Sequence, residues 1–320
     1  MMLAVKRGKM SFIRGLHNLH ASDQESVVTI GSFDGVHLGH QAILQQVKNK
    51  AAALNLPSVV MVFEPQPQEY FSGEKAPARL MRLREKIEAL TDFGIDQVVC
   101  LQFNQALRSL TAQQFVDKVL VKGLRTRYLI VGDDFRFGCD RSGDFQMLKR
   151  SGAKANFEVQ DTETLEVDGQ RVSSTLVRKF LRQSDFAGAQ DLLGRPFSIQ
   201  GRVVYGQQLG TELGFPTANV QLHRYSAPLS GVFAVLVNVG EKVLQGAANV
   251  GIRPTVGDLV KPILEVHLLD FEGKLYGQRI DVEFKHKIRD EKKFTTLDDL
   301  VENIRRDVNN IRAWFDQANK

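Results

Sequence analysis

Cysteine is scarce in this chain. Its two cysteines, Cys100 and Cys139, lie far apart, which leaves no material for a disulfide framework and fits a reducing compartment. Long apolar runs are missing too. None reaches the length a membrane-spanning helix requires, and the apolar stretch in MMLAVKRGKMSFIRGLHNLH is too short for a secretory signal. The expectation is a cytoplasmic protein with no membrane partner. Blocks of one charge are absent as well. Lys and Arg number 42 against 37 Asp and Glu, a net charge of +5, and the basic residues are dispersed. A nucleic-acid-binding tail would concentrate them, so no nucleic-acid partner is expected. The mild excess suits small anions instead. There is no internal repeat and no low-complexity segment.

What is present is an ordinary soluble composition, 43% hydrophobic and 25% charged, over a length that accommodates two domains. The first half alternates. VVTIG, SVVMVFEP, DQVVCLQF and YLIVGDDF read as strands. Between them, Gln41 to Asn55, RLREKIEALTDFG and TAQQFVDKVLVKGL read as helices, with Gly94 closing the second and Thr111 capping the third. Such alternation predicts a parallel sheet with helices on both faces. SSTLVRKFLRQ adds one more helix. From about Ser198 onward the pattern changes to short strands with glycine turns: SIQGRVVYG, GVFAVLVNVG, KVLQGAANVG, ILEVHLLDF and QRIDVEFKHKI. That predicts a barrel or sandwich, closed by an amphipathic helix in TTLDDLVENIRRDVNNIRAWFDQ. The change falls near residues 184–197, giving expected domains of 1–184 and 185–320.

Ligands of a parallel sheet bind beyond the C-termini of its strands. Four distinctive loops stand there: GSFDGVHLGH, FEPQPQEYF, the loop opened by Asn104, and GDDFRFG. The first passes Gly31, Gly35 and Gly39 and brings His37 and His40 to a helix start, where free N–H groups and the dipole favour phosphate. The same pair suits zinc if further ligands converge. A histidine pair satisfied by backbone at a helix start is the plainest reading, and local pattern leaves all three open.

Several motifs occur in a fixed order: H-x-G-H inside GSFDGVHLGH, FEPQP, VGDDFRFG, VSSTLVR from Val172 to Arg178, GFPTANV from Gly214 to Val220, ANVGIRPT and LEVHLLDF. In these the chain resembles the bacterial bifunctional riboflavin kinase/FMN adenylyltransferase family, also called FAD synthetase, over residues 11–320. The resemblance implies a Rossmann-like nucleotidyltransferase α/β domain followed by a riboflavin-kinase β-barrel with a C-terminal helix. It implies riboflavin, FMN and ATP as substrates, FAD as product, Mg2+ as cofactor, and a monomer or weak homo-oligomer. In the first domain it implies catalytic roles for His37, His40 and Arg178. Gly31, Phe33, Gly35, Gly39, Ser173, Ser174 and Thr175 would surround ATP, and Phe63, Pro65, Asp134, Phe135 and Phe137 the flavin.

In the second domain the resemblance implies a flap of Gly206, Gly210 and Gly214 over ATP phosphates, Thr217 and Asn219 as Mg2+ ligands, and Glu265 as base for the ribityl 5′-hydroxyl. A period-two strand puts Glu265 and His267 on one face and Leu264, Val266 and Leu268 on the other. Two positions depart from the family pattern: Gln66 stands where many relatives carry His, and Thr211 where many carry Arg. Two other functions compete. A flavin-binding regulator without catalysis is disfavoured by the intact His37, His40, Thr217, Asn219 and Glu265. A nucleic-acid binder is disfavoured by the dispersed charge.

Overall fold

The computed structural model describes residues 10–19, 24–132, 134–162, 164–206, 209–254 and 260–318. Contacts gather the chain into two compact units, one of Met1–Ala76 with Leu83–Val172 and one of Pro77–Arg82 with Ser173–Lys320.

The first unit is built on six parallel strands: β1 (Ser11–Arg14), β2 (Ser26–Ile30), β3 (Ser58–Glu64), β4 (Gln97–Gln102), β5 (Thr126–Val131) and β6 (Glu158–Asp161), in the order β1-β4-β3-β2-β5-β6. Val27, Val28, Val59, Val60, Val98 and Val99 are fully buried. β-Branched residues covered on both faces are what a central parallel strand requires. The edge strands β1 and β6 are mostly exposed, so they lack the apolar run that marks a strand in sequence, and neither was expected from it.

Helices α1 (Leu38–Leu54), α2 (Pro67–Ser72), α3 (Leu83–Phe93), α4 (Gln105–Arg108), α5 (Ala112–Phe115) and α6 (Phe145–Ala155) connect the strands. A π-helical stretch, Val116–Gly123, continues α5. A small hairpin, β7 (Glu166–Val167) with β8 (Gln170–Arg171), follows the sheet. The strand order reverses at β2: β3 lies on one side of it and β5 on the other. A crevice opens at such a reversal, beyond the strand C-termini.

The second unit contains α7 (Ser174–Arg182), α8 (Phe186–Leu193) and a closed antiparallel barrel of β9 (Ser198–Val204), β10 (Ala218–Gln221), β11 (Gly231–Val239), β12 (Lys242–Pro254), β13 (Val260–Leu268) and β14 (Arg279–Arg289). The barrel closes through β9 and β10, and α9 (Leu209–Glu212) lies between these two in sequence. Val220, Val250, Leu264, Val266, Val282 and Phe284 are buried along its strands. The last helix, α10 (Leu297–Ala318), packs Val308, Ile311 and Phe315 against Ala234 and Leu269. Arg289 of β14 meets Asp307 of α10 through both carboxylate oxygens, at 2.8 to 3.0 Å. Fork-on-carboxylate geometry of this kind fixes orientation as well as distance.

The short segment Pro77–Arg82 is held in the second unit by guanidinium-to-carbonyl bonds. Arg178 donates to the carbonyl of Ala78 at 2.5 Å, and Arg224 to that of Arg79 at 2.8 Å. Arg82 donates to the carbonyls of Gln200 and Gln221. Among the described residues no helix is long and apolar enough to cross a membrane.

Candidate functional sites

In the first unit the loop after β2 lies where the strand order reverses. The N–H of Gly31 still donates to the carbonyl of Met61 at 3.1 Å, extending the pairing with β3. The chain then turns through Phe33 (φ 45°), Gly35 (φ 88°) and Val36 (φ 41°). Two non-glycine residues in left-handed backbone, one of them β-branched, are costly and occur where surrounding structure enforces them. Phe33 is 1% exposed and sets its ring 4.9 Å from that of His40.

His37 is the N-cap of α1, its Nδ1 accepting from the backbone N–H of His40 at 3.3 Å. The helix thus starts three residues before the expected Gln41. A Cβ on Gly39 would stand 3.2 Å from His37 Nδ1 and 3.3 Å from the carbonyl of Val172, so the close approach of this turn suits glycine.

The rings of His37 and His40 stack at 3.6 Å and 17°. Since His37 Nδ1 accepts, the neutral ring carries its proton on Nε2 and presents a donor there. Burial pushes His40 well below the ordinary histidine value of 6.5, and the repulsion a second proton would meet beside His37 and Lys86 acts in the same direction. The neutral form of His40 is therefore the stable one in the fold. The unfolded chain takes up that proton more readily, so the resulting stabilisation is complete above pH 6.5 and is lost as pH falls toward the folded-state value. Thermal unfolding between about pH 7.5 and about pH 5.5 should show a steeper acid loss for the wild type than for His40→Asn. Parallel slopes would remove His40 as the cause.

Lys86 is 1% exposed and was not singled out from the sequence. Its signal was its place on the buried stripe of α3, four residues before the fully buried Leu90, where a lysine is out of pattern.

The neighbouring loops carry the aromatic candidates. Phe63, at the end of β3, is half-buried and meets Phe103 edge-on at 5.9 Å. Pro65 is half-buried and Gln66 is 7% exposed. In the loop after β5, Phe135 and Phe137 stack at 5.6 Å. Phe137 belongs to the core and lies 5.4 Å from Phe115, while Phe135 packs against that core half-buried. Asp134 is exposed, 3.8 Å from Arg171 of the hairpin.

VSSTLVR leads into the second unit. Ser173 caps α7, its Oγ accepting from the N–H of Leu176 at 3.2 Å. Ser174 is half-buried and Thr175 exposed. Arg178 is 7% exposed and engages the carbonyl of Ala78 through Nε, so it is not a solvated surface charge.

On the barrel, Glu265 lies in register between Asn219 of β10 and Asn249 of β12. Directly opposed strand residues point to the same side. Leu264, Val266 and Leu268 are buried, so the period-two expectation holds, and Glu265 and His267 occupy the opposite face. A cavity there is lined by Thr217, Asn219, Asn249, Glu265 and Gly210, and by Val308 of α10. Asn219 is 4% exposed and its Nδ2 donates to the carbonyl of Thr217 at 3.2 Å. Its Oδ1 is buried with no hydrogen-bond partner among the described residues. His267 Nδ1 lies 2.9 Å from the carbonyl of Pro216 and so ties GFPTANV to β13.

A Cβ on Gly206 would stand 2.5 Å from Asn219 Nδ2, and one on Gly210 would stand 2.4 Å from the carbonyl of Phe215. Gly214 is exposed, with φ 84°. The side chain of Thr211 lies outside the described residues. Asn249 was not expected from sequence, because its position opposite Glu265 exists only once β12 pairs with β13. Among the described residues no three His, Cys, Asp or Glu side chains converge as a metal-binding group.

Comparison with known proteins follows the same division. The family model described as FAD synthetase matches residues 19–176, and that described as riboflavin kinase matches residues 193–315. The bifunctional riboflavin kinase/FMN adenylyltransferase of Pseudomonas fluorescens is 52% identical over 304 residues, spanning 95% of this chain and 97% of that one. The protein of the same description in Escherichia coli K12 is 50% identical over 308 residues, spanning 96% and 98%. A crystal structure named as a macrolide-efflux protein from Streptococcus pneumoniae matches with a TM-score of 0.77 and 29% identity, covering 95% of this chain and 100% of that one.

Proposed function

Since this chain belongs to the family of bifunctional riboflavin kinases/FMN adenylyltransferases, we propose how its residues divide the two reactions. The chain phosphorylates riboflavin with ATP to give FMN, and it joins FMN to the AMP portion of ATP to give FAD and pyrophosphate. We take 1–184 as the adenylyltransferase segment and 185–320 as the kinase segment, and the cytoplasm as the compartment.

In adenylyl transfer, a phosphate oxygen of FMN attacks the α-phosphorus of ATP and the bond to pyrophosphate breaks. No covalent intermediate with the protein is required, so positioning and charge stabilisation carry the rate. His37 and His40 act as donors to phosphate oxygens as charge moves to the leaving group. Gly31, Phe33, Gly35 and Gly39 shape the turn that admits those phosphates. Ser173, Ser174, Thr175 and Arg178 contribute further phosphate contacts, a role resting on the likeness of VSSTLVR to the family signature. Phe63, Pro65, Asp134, Phe135 and Phe137 form the flavin side. The observation that carries this reading is the stacked histidine pair at the start of α1, where the strand order reverses.

In the kinase reaction, Glu265 takes the proton of the ribityl 5′-hydroxyl, the oxygen attacks the γ-phosphorus, and ADP leaves. The flap of Gly206, Gly210 and Gly214 closes over the phosphates. Asn219 Oδ1, a buried acceptor with no partner among the described residues, and the Thr217 hydroxyl fit a hard cation that takes few protein ligands. Mg2+ held there would neutralise phosphate charge.

A chromatographic time course with riboflavin, ATP and Mg2+ tests the whole reading. FMN should rise first and FAD should follow. FMN accumulating alone would count against the histidine pair as an adenylyl-transfer site. FAD from supplied FMN, with nothing from riboflavin, would place the fault in the barrel and make Thr211 the first suspect.

A further inference from the structure

Gln66 follows Pro65 in the loop beyond β3. The loop beyond β2 that carries His37 and His40 leaves the same edge of the sheet, since β2 and β3 run parallel and pair as far as Ile30 and Met61. Gln66 is the N-cap residue of α2, and its backbone is fully engaged. Its N–H donates to Glu69 Oε2 at 3.0 Å, and its carbonyl accepts from the N–H of Tyr70 at 3.0 Å. The side chain differs. Only 7% of Gln66 is exposed, yet Nε2 is shut off from solvent and has no hydrogen-bond partner among the described residues. Buried amide donors are nearly always satisfied, and one left unmet destabilises the fold. Leucine would fill similar volume without that penalty. An unmet donor at the ligand-binding edge of a sheet is therefore best explained by a ligand that supplies the acceptor.

The surroundings define that acceptor. Phe63, Tyr70 and Phe71 all set their rings edge-on against Phe103, at 5.9, 5.2 and 5.7 Å. Such a cluster suits a flat aromatic ligand. The carboxyl group of Glu69, 8% exposed, sits at the backbone of Gln66 itself. That carboxyl group would repel a phosphate brought here far more strongly than a neutral carbonyl. We propose that Gln66 Nε2 donates a hydrogen bond to a carbonyl oxygen of the flavin pyrimidinedione, and that Gln66 thereby sets the affinity of the adenylyl-transfer reaction for FMN. This rests on the assignment of the β3 loop to the flavin side of FMN adenylylation. A glutamine amide does not titrate, so recognition through it is independent of pH.

The test uses the full chain and initial rates of FAD formation with FMN and ATP varied in turn. Gln66→Leu should raise KM for FMN by about 10-fold or more, with KM for ATP and riboflavin kinase turnover unchanged. Gln66→His, which retains an N–H donor, should return KM for FMN most of the way to the wild-type value. The wild type should also bind either 2-thio- or 4-thio-FMN more weakly than FMN, because sulfur is the poorer acceptor, and Gln66→Leu should lose that preference. Kinase turnover reports that each variant is folded. An unchanged KM for FMN in Gln66→Leu, a rise confined to ATP, or equal wild-type KM for FMN and both thio analogues would overturn the inference. A wild type that forms no FAD at all would overturn the underlying assignment, and this inference with it.

Discussion

Glu265→Gln is expected to stop FMN formation while supplied FMN is still converted to FAD. The substitution keeps size and shape, so the register of β13 between Asn219 and Asn249 should survive it. What it removes is the ability to accept the proton of the attacking hydroxyl. Loss of a positioned general base costs about 10²- to 10⁴-fold in rate. Leu264 and Val266, buried on the other face, hold the strand so that the side chain at 265 faces the cavity shared with Thr217 and Asn219. The measurement is riboflavin-dependent ADP release, beside FAD formation from FMN in the same preparation. Kinase turnover at the wild-type level would eliminate Glu265 as the base. Loss of FAD formation as well would mean that the substitution had damaged more than the barrel.

His40→Ala is expected to act in the opposite sense. Removing one donor to the developing charge should raise the barrier to FAD formation by about 2.7–4 kcal/mol and leave riboflavin phosphorylation intact. The stacked ring of His37, 3.6 Å away, stays anchored through its cap on α1, so a single donor is removed rather than the whole turn. Burial holds His40 in its neutral form, and the effect should therefore be seen at neutral pH without a change in net charge at the site. Single-turnover FAD formation is the appropriate readout, because product release does not mask chemistry there. Kinase activity that falls in step with FAD synthesis would argue against two independent sites.

How much of this could be read from the sequence depends on the range of the interaction. The central strands were legible because Val27, Val28, Val59, Val60, Val98 and Val99 form local apolar runs, and burial on both faces demands such runs. The edge strands β1 and β6 were not, because an exposed edge imposes no such pattern. The histidine turn was legible as a motif, but its stacked geometry and the left-handed backbone at Phe33 and Val36 come from the folded surroundings. Lys86 looked like one more charge on a helix until its burial beside His40 was seen. The period-two face of Glu265 could be read directly. Its neighbour Asn249 could not, because strand pairing brings it there from a distant segment. Arg178 was expected at the phosphates from the resemblance of VSSTLVR, and Arg224 was not singled out; the carbonyl contacts of both were hidden. Their acceptors, Ala78 and Arg79, lie 100 and 145 residues away, beyond any local pattern.

That last pair of contacts bears on how the two activities are inherited. The chain passes from one compact unit to the other after Ala76, returns after Arg82, and passes again after Val172. No single break in the gene separates these units. A fragment that begins after residue 184 loses the Arg79 carbonyl that Arg224 engages, the Arg82 side chain that donates to the carbonyls of Gln200 and Gln221, and Arg178 as well. The unit that holds the barrel is thus bonded to a short segment, Pro77–Arg82, encoded within the stretch that otherwise forms the sheet unit. Lineages that lose one activity should therefore do so more readily by point substitution than by shortening the chain.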